Sequence, residues 1–460
     1  MSLLNLRFAS LLLVAATASI NLIAAASESR PNIVFFLTDD QPYAGMSVTG
    51  GLGTQTPAID KLAADGVLFE NAFATTAICC CSRASILTGQ YMRRHGIEEF
   101  RKPLTNAQLA LTFPVLLREH GYRTAFLGKF AVGSPEVDEH RALPADLFDL
   151  WYGFPQSFSF RQTEGGRTRY LTTVMTEKAV EFLDSTPRNQ PFCLIMALKE
   201  PHGPLDYKDP EFTPPAETAP ISPPSTLTRA AFDRLPAVVR NSLAASPRLI
   251  DSRTAFESYV RLRNAYIARA DLAVAQVRAA LAARGLDRNT VVVFASDHGA
   301  FMGAHGLSGK WLMYEESIRF PLIIADPRLP ASTRGRRSAM ALNIDLAPTF
   351  LAIAGVPIPA AMQGVDLQPL LRDPAARVHS DWYYEHVFTD PERRPIPKVE
   401  GVRTERWKYI RYPETNPLVE ELFDLAADPH EENNLAGQTD DRATLDDLRR
   451  RCDAYRVSLK

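Results

Sequence analysis

The sequence predicts an α/β fold with a large, mostly parallel sheet flanked by helices, followed by a smaller C-terminal subdomain with an antiparallel sheet. In the first part of the chain, apolar runs rich in β-branched and aromatic residues, such as Asn32 to Thr38, alternate with helical patterns. Strands buried on both faces of a parallel sheet have this continuous apolar pattern. After about residue 371 the runs become short and polar, which favours antiparallel strands. We therefore expect an α/β domain over residues 27–371 and a small α+β subdomain over residues 372–460.

The predicted elements have recognisable signals at their ends. The first strand stops at Asp39-Asp40, and the helix that follows has Thr56 as a plausible N-cap, Pro57 in its first turn and Gly66 as its stop. Later predicted strands are VLFENAFA, RTAFLGK, QPFCLIMALKEPHGP, NTVVVFASDHG and RFPLIIAD. The predicted helices between them include FPVLLREHGY, TEKAVEFLDS and FESYVRLRNAYIARADLAVAQVRAALAARG, the last as one long helix or a pair of helices. In the subdomain, DWYYEHVF, EGVRTERWKYIRY and EELFDL are predicted strands, and RATLDDLRRRCDAYRVSLK is a predicted terminal helix.

The N-terminus has the pattern of a signal peptide. Arg7 precedes an apolar run that ends in Ala24-Ala25-Ala26, which suits cleavage after Ala26. A membrane anchor is the alternative, but polar residues interrupt the run, and no later stretch reaches the roughly 20 apolar residues of a membrane span. We expect a signal peptide over residues 1–26 and an exported protein, either periplasmic or secreted. The formal charge of -2 gives no support to nucleic acid or an anionic membrane as a partner.

Three of the five cysteines stand side by side at positions 79–81, within AICCCSRASILTGQ. Adjacent cysteines rarely pair, and Cys193 lies in an apolar run that predicts a buried strand, so a disulfide framework is disfavoured. A zinc site needs spaced ligands such as C-x2-C. A single functional cysteine with two neighbours agrees best with this pattern.

Polar residues follow four of the predicted strands, and these strand ends share one edge of a parallel sheet, where ligands of α/β proteins bind. Three carboxylates there would repel one another unless a cation neutralises them, and their oxygens suit Ca²⁺ or Mg²⁺. Cations elsewhere in the sequence would add an oxyanion pocket, beside a helix that we expect to begin at about Ser82. The strand-end groups are Asp39-Asp40, Lys129, His202 and Asp297-His298, and the further cations are Arg83 and Lys310.

At this point the sequence resembles the formylglycine-dependent sulfatases of the alkaline phosphatase superfamily, near the glucosamine-6-sulfatase branch. Their signature C-x-P-S-R-x-x-x-L-T-G is similar to CCCSRASILTG here, which aligns Cys79 with the signature cysteine. The Asp pair, Gly128-Lys129, DHG at 297–299, GKWLMYEESIRFPL and ELFDLAADPHEENNL follow in the family's order, from about residue 31 to 436. The resemblance implies an alkaline phosphatase-like fold and hydrolysis of sulfate esters.

The resemblance also implies a post-translational modification. Cys79 would be oxidised by a formylglycine-generating enzyme to Cα-formylglycine, whose hydrate attacks sulfur with one hydroxyl and uses the other to release sulfate. This would make Cys79 the precursor of the nucleophile.

The remaining roles follow position by position from the same resemblance. Ca²⁺, rather than Mg²⁺, would be held by four side chains and by an oxygen of residue 79. Arg83 would orient the hydrate, Lys129 and Lys310 would bind sulfate, and Lys310 with His202 would protonate the leaving group. The four side chains are those of Asp39, Asp40, Asp297 and His298.

Two positions depart from the family pattern. Cys81 stands where proline is usual, which weakens the expectation that Cys79 is matured, and Ala131 stands where many relatives have histidine. His120 and His140 flank that region, although a structural role is the better interpretation of both.

Three functions stay open on the sequence. The first is an exported sulfatase acting on a sulfated small molecule or oligosaccharide, for which Tyr383, Tyr384 and His386 are candidate sugar contacts or simply strand residues. The second is a phosphonate or phosphate monoester hydrolase of the same superfamily. The third is a non-catalytic anion- or glycan-binding protein with unmodified Cys79.

Overall fold

The structure is a computed structural model that describes residues 30–133, 143–155, 158–204, 209, 211–215, 220–389 and 394–459. The predicted signal peptide and His140 lie outside these residues. Among the described helices none is both long and apolar enough to cross a membrane.

The core of the fold is one sheet of eight strands, in the order β12-β2-β11-β8-β1-β7-β3-β4. Its strands are β1 (Asn32–Thr38), β2 (Val67–Phe73), β3 (Arg123–Lys129), β4 (Leu150–Phe154), β7 (Phe192–Ala197), β8 (Thr290–Ser296), β11 (Leu322–Ala325) and β12 (Gly335–Leu342). All described pairs are parallel except those that β11 makes with β2 and β8. Two two-stranded sheets are formed by β5 (Arg161–Glu164) with β6 (Arg167–Tyr170) and by β9 (Phe301–Met302) with β10 (Ser308–Gly309).

Helices cover both faces of the large sheet. The longer ones are α1 (Pro57–Asp65), α2 (Cys79–Thr88), α5 (Phe113–Glu119), α6 (Leu171–Ser185), α10 (Arg253–Ala283) and α12 (Leu346–Ile353). Shorter turns are α3 (Met92–His95), α4 (Asn106–Leu109), α7 (Arg229–Arg234), α8 (Ala237–Arg240), α9 (Arg248–Asp251), α11 (Glu315–Ile318) and α13 (Gln368–Arg372). Alternate residues of β1 point to opposite faces, so Val34 and Phe36 pack in one core while Ile33 and Phe35 pack in the other.

A second, antiparallel sheet follows near the C-terminus. It consists of β13 (Asp381–His386), β14 (Val399–Thr404), β15 (Trp407–Tyr412) and β16 (Val419–Asp424), and α14 (Arg442–Ser458) packs on it. Trp382 of this sheet stacks on Phe73 of the large sheet at 5.3 Å between ring centroids. One apolar core therefore joins the small sheet to the edge of the large one.

This architecture confirms the predicted fold class, with two differences in detail. The strand RFPLIIAD is present as β11, but it runs antiparallel to both of its neighbours, β2 and β8. An apolar run predicts a buried strand but does not specify its direction. Helix α2 begins at Cys79 and not at about Ser82, so the three cysteines form its first turn. The long helical pattern is one helix of 31 residues, α10.

A buried carboxyl group in the small sheet gives a pH-dependent stability. Glu421 is 2% exposed and accepts hydrogen bonds from the hydroxyls of Tyr314 and Tyr412, each at 2.8 Å. Burial raises its pKa from 4.5 to about 7. Since the folded protein holds this proton after the unfolded chain has lost it, the contribution to stability is complete below pH 4.5 and is lost as the pH rises through about 7.

We expect Glu421→Gln to remove that part of the pH dependence, which is on the order of 3 kcal/mol in the free energy of unfolding. Urea titrations of both proteins at pH 5 and pH 8 measure it. Equal losses of stability between the two pH values in both proteins would contradict the assignment.

Candidate active site

The candidate site lies at the carboxyl edge of the large sheet, where the parallel strands end. Asp39 and Asp40 follow β1, Lys129 closes β3, and Asp297 and His298 follow β8. The first turn of α2 lies against them and places Cys79 in their midst. The sheet topology thus brings together residues that are far apart in sequence.

Cys79 is the centre of this group and is 1% exposed. Its thiol donates to Asp39 Oδ1 at 3.2 Å, with Asp40 Oδ1 at 3.9 Å, and the ammonium group of Lys310 donates to Sγ at 3.0 Å. Burial, with Asp39 beside it, raises the pKa of the thiol well above its ordinary value. The unmodified cysteine is therefore a protonated thiol and a poor nucleophile at neutral pH.

Three buried cations match the three carboxylates. Lys129 Nζ lies 2.5 Å from Asp39 Oδ2, and Lys310 contacts Asp40. Arg83 donates from Nε to Asp297 Oδ2 at 3.0 Å. A divalent ion added to this balanced cluster would leave an excess of positive charge, which favours an anionic ligand.

The charged state of the pairs follows from these contacts. Burial by itself raises the pKa of Asp39, but the nearby cations, with Lys129 the strongest, hold it well below its usual range. The pKa of Asp40 is lowered in the same way against burial, chiefly by Lys310. Burial opposes the charged forms of Lys129 and Lys310, yet the carboxylates raise the pKa of both ammonium groups.

The backbone at Asp40 is strained, with φ of 64°, a left-handed conformation that is uncommon outside glycine. Its N–H donates to Asp297 Oδ1 at 3.1 Å, which stabilises this conformation. The carboxylate of Asp40 lies 3.9 Å from Cys79 Sγ, and such a backbone conformation is often found at functional sites.

Four of the side chains could hold a metal ion together. Asp39, Asp40, Cys79 and His298 each offer one ligand atom within 4.8 Å of the others. His298 Nδ1 donates to the carbonyl of Gly299 at 2.8 Å, so Nε2 presents its lone pair, and that buried atom has no hydrogen-bond partner among the described residues. An oriented imidazole beside carboxylates is a suitable donor set for a divalent cation.

Asp297 lies next to this group rather than within it. Its Oδ1 is 3.5 Å from His298 Nε2 and accepts from two backbone N–H groups, while its Oδ2 is paired with Arg83. All the side chains that the sequence predicted for the metal site are nevertheless neighbours in one cluster.

His202 is farther out, with Nε2 3.9 Å from Asp40 Oδ2. It borders a cavity of about 280 Å³ that also reaches Cys79, Lys129 and Lys310. His202 is therefore placed between the buried cluster and the space in which the rest of a ligand would lie.

Sequence reasoning missed the apolar wall of this cavity. Phe100, Trp311 and Phe388 line it, together with Lys199. Phe100 packs edge-on against Phe388 at 5.9 Å between centroids. Only the position of Trp311 directly after Lys310 could have suggested its place. Phe100 comes from a loop that the pattern leaves unassigned, and Phe388 was expected within the strand DWYYEHVF, which ends at His386.

The two departures noted in the sequence lie close to the cluster. Ala131 is buried with φ of 63°, and Arg83 Nη1 donates to the carbonyl of Lys129, two residues before it, at 2.5 Å. Cys80 and Cys81 are buried in the main core, with their sulfurs 3.8 Å apart. His120 is exposed on the surface, and its Nδ1 donates to the carbonyl of Leu116 at 2.8 Å.

Tyr383, Tyr384 and His386 do not line the cavity. They lie on β13 and are at most 1% exposed, so their interpretation as strand residues agrees with the structure.

Comparisons with known proteins give two matching family models. The family model described as "Sulfatase" matches residues 31–356, and the model described as "N-sulphoglucosamine sulphohydrolase, C-terminal" matches residues 303–458. An N-acetylglucosamine-6-O-sulfatase of Bacteroides thetaiotaomicron is 30% identical over an alignment that covers 89% of this chain and 83% of the relative.

Two solved structures share the fold. A protein in complex with its substrate D-glucosamine-2-N,6-O-disulfate has a TM-score of 0.80 at 26% identity, covering 94% of this chain and 98% of that one. A phosphonate monoester hydrolase of Agrobacterium radiobacter has a TM-score of 0.76 at 22% identity, covering 94% of this chain and 96% of that one, and at this identity the likeness concerns the fold alone.

Proposed function

Because the chain belongs to the sulfatase family and is a sulfuric ester hydrolase, we propose that it cleaves a sulfated carbohydrate with formylglycine at position 79 and Ca²⁺. The observation that carries this proposal is the position of Cys79. It lies at the N-terminus of α2, in contact with a strand-end carboxylate and with Lys310. A residue placed there meets both a cation site and the open cavity.

The residues around position 79 fit both formylglycine and Ca²⁺. Formylglycine supplies, as its hydrate, a hydroxyl that attacks sulfur and a second hydroxyl that permits release of sulfate. Such a change suits this position, because the thiol itself is held protonated. Ca²⁺ supplies charge that polarises the sulfate group. It would be held by Asp39, Asp40, Asp297, His298 and an oxygen of residue 79.

The lysines and α2 bind the sulfate group in this proposal. Lys129 and Lys310 are paired with the carboxylates that a cation would share, so the ion leaves both ammonium groups available to sulfate oxygens. Helix α2 begins at Cys79, beside these groups, and a helix N-terminus favours an anion. Arg83, held by Asp297, orients residue 79.

Protonation of the leaving group falls to Lys310 and His202. Lys310 Nζ is 3.0 Å from Cys79 Sγ. Lys310 and His202 both border the cavity that would hold the alcohol. A proton delivered there stabilises the departing oxygen, which matters most for a poor leaving group.

A carbohydrate substrate is supported by the relatives and by the cavity wall. The similar proteins reported above act on N-acetylglucosamine-6-O-sulfate and on a glucosamine disulfate, according to their names. Aromatic side chains such as Trp311 and Phe388 offer an apolar surface for the face of a sugar ring.

Export, maturation and domain division complete the proposal. The N-terminal pattern supports cleavage after Ala26 and a periplasmic or secreted location, with residues 27–371 as the catalytic domain and residues 372–460 as the subdomain. A formylglycine-generating enzyme would act on Cys79. N-terminal sequencing of the protein purified from its native host would test the cleavage site.

The phosphoester alternative has a specific observation in its favour, the fold shared with a phosphonate monoester hydrolase. Matched assays with 4-nitrophenyl sulfate and 4-nitrophenyl phosphate separate the two. We expect kcat/KM for the sulfate to exceed that for the phosphate, since the matching family model and the relative at 30% identity are both sulfatases. Faster turnover of the phosphate would overturn the proposal.

A further inference from the structure

Tyr384 connects the small sheet to both sides of the candidate active site. It lies on β13 and is fully buried. Its hydroxyl accepts from the N–H of Ala77 at 3.2 Å and donates to the carbonyl of Trp311 at 2.6 Å. One phenol group therefore satisfies two backbone groups that are distant in sequence.

The two backbone segments that Tyr384 joins carry Cys79 and Lys310, whose side chains contact each other in the candidate site. Ala77 stands two residues before Cys79, and Trp311 directly follows Lys310. Lys310 Nζ in turn lies 3.0 Å from Cys79 Sγ. The hydroxyl of Tyr384 therefore links the backbones of Ala77 and Trp311, while the side chains of Cys79 and Lys310 contact each other nearby.

Neither segment is held by regular secondary structure at this point. Residues 74–78 form an irregular link between β2 and α2, and residues 310–314 are irregular as well. Trp311 has φ of 82°, a strained conformation for a residue with a side chain. A hydrogen bond to its carbonyl stabilises a backbone that would otherwise relax, and with it the position of Lys310.

Other contacts fix β13 on the first segment, which makes Tyr384 a firm anchor. Glu385 N–H donates to the carbonyl of Thr75 at 3.2 Å, and Thr76 Oγ1 donates to the carbonyl of Glu385 at 2.7 Å. With the strand docked in this way, the phenol of Tyr384 extends the link across to Trp311. Burial raises the pKa of the phenol, so it stays a donor at all ordinary pH values.

We propose that Tyr384 is a positioning residue that sets the distance between residue 79 and Lys310. The inference rests on the proposed function, since it assumes that these two residues act on the substrate. Without the hydroxyl, the N–H of Ala77 and the carbonyl of Trp311 are buried without this partner, and the strained turn can shift. A displacement of about 1 Å at a reacting group lowers rates by roughly 100-fold.

Tyr384→Phe tests the proposal, with Tyr383→Phe as the matched control. Tyr383 is the next residue on the same strand, is equally buried, and stacks on Tyr455, away from Ala77 and Trp311. Both variants lose one phenolic oxygen. The rates are compared on 4-nitrophenyl sulfate, a good leaving group, and on phenyl sulfate, a poor one, with the formylglycine content of each protein determined by mass spectrometry.

We expect Tyr384→Phe to lower kcat by about 10- to 100-fold on phenyl sulfate and by less on 4-nitrophenyl sulfate, because a displaced Lys310 protonates the poor leaving group badly. KM should change little, and Tyr383→Phe should resemble the unaltered protein. A merely structural defect would lower both rates equally, and this outcome, or equal effects of the two variants, would overturn the proposal.

A second variant keeps the test valid if Tyr384→Phe does not fold. With Tyr384→4-aminophenylalanine, the amino group can still donate to the carbonyl of Trp311, and we expect this variant to fold and to show most of the unaltered protein's rate on phenyl sulfate. Failure of this variant to restore the rate would count against the positioning role. A wild-type protein with full formylglycine but no sulfatase activity would instead contradict the proposed function.

Discussion

Replacing Cys79 by alanine is expected to lower kcat/KM for sulfate esters by about 10⁴-fold or more, as the loss of a nucleophile does in other enzymes. The structure gives the reason. No other cysteine of the described residues contacts the strand-end carboxylates, and the contacts of residue 79 with Asp39 and Lys310 place it at the centre of the cluster. Steady-state assays with 4-nitrophenyl sulfate measure the loss.

Cys80→Ala is the matched control for this experiment. Cys80 is the adjacent residue, but its side chain is buried in the main core. We expect this variant to keep its activity and to lose about 1 kcal/mol of stability from the removed sulfur. Comparable loss of activity in both variants would show that the defect is one of folding, and full activity of Cys79→Ala would exclude residue 79 as the nucleophile precursor.

Asp39→Asn is expected to lower kcat/KM by about 10³-fold, which corresponds to the several kcal/mol that a metal ion contributes to a transition state. The amide keeps the shape of the side chain but removes a charge that the ion needs. It also leaves the buried ammonium group of Lys129 without its carboxylate at 2.5 Å. Assays of the variant at several Ca²⁺ concentrations measure the effect.

Direct measurement of metal binding accompanies that assay. Titration calorimetry should detect Ca²⁺ binding to the chelator-treated protein and weaker or no binding to Asp39→Asn. Asp149→Asn is a suitable control, because Asp149 accepts from Thr124 N–H near the opposite end of β3. Equal Ca²⁺ affinity of Asp39→Asn and the unaltered protein would contradict the assignment of this site, and stronger binding of Mg²⁺ would correct the choice of ion.

The fold and the buried cluster could be predicted because they follow from local patterns. A buried apolar run such as Asn32–Thr38 indicates a parallel strand, and the residues after such strands must share one edge of the sheet. This places Asp39, Lys129 and Asp297 together although up to 258 positions separate them. Arg83 and Lys310 were expected as cations of an oxyanion pocket, but only the family resemblance gave each a specific role, since their helix and loop give no geometric clue of their own.

Other features depend on packing that no local pattern encodes. β11 has an ordinary apolar sequence, which does not determine whether the strand is parallel or antiparallel to its neighbours. Phe100 and Phe388 meet only because their loops fold over the cavity. The sequence around Tyr384 is that of an ordinary strand, and its hydrogen-bond partner Ala77 is 307 positions away along the chain. The start of α2 at Cys79 was missed because the residues before Ser82 lack a cap signal.

The most direct test of the central claim is the mass of the tryptic peptide that contains residue 79. Lys61 and Arg83 are the flanking cleavage sites, so the peptide spans residues 62–83 and contains all three adjacent cysteines. In active protein from a host with the maturation enzyme, we expect a mass about 18 Da below that of the cysteine peptide, the loss when a thiol becomes an aldehyde. Fragmentation should assign the change to residue 79 and not to Cys80 or Cys81. Active protein with an unmodified Cys79 would contradict the account.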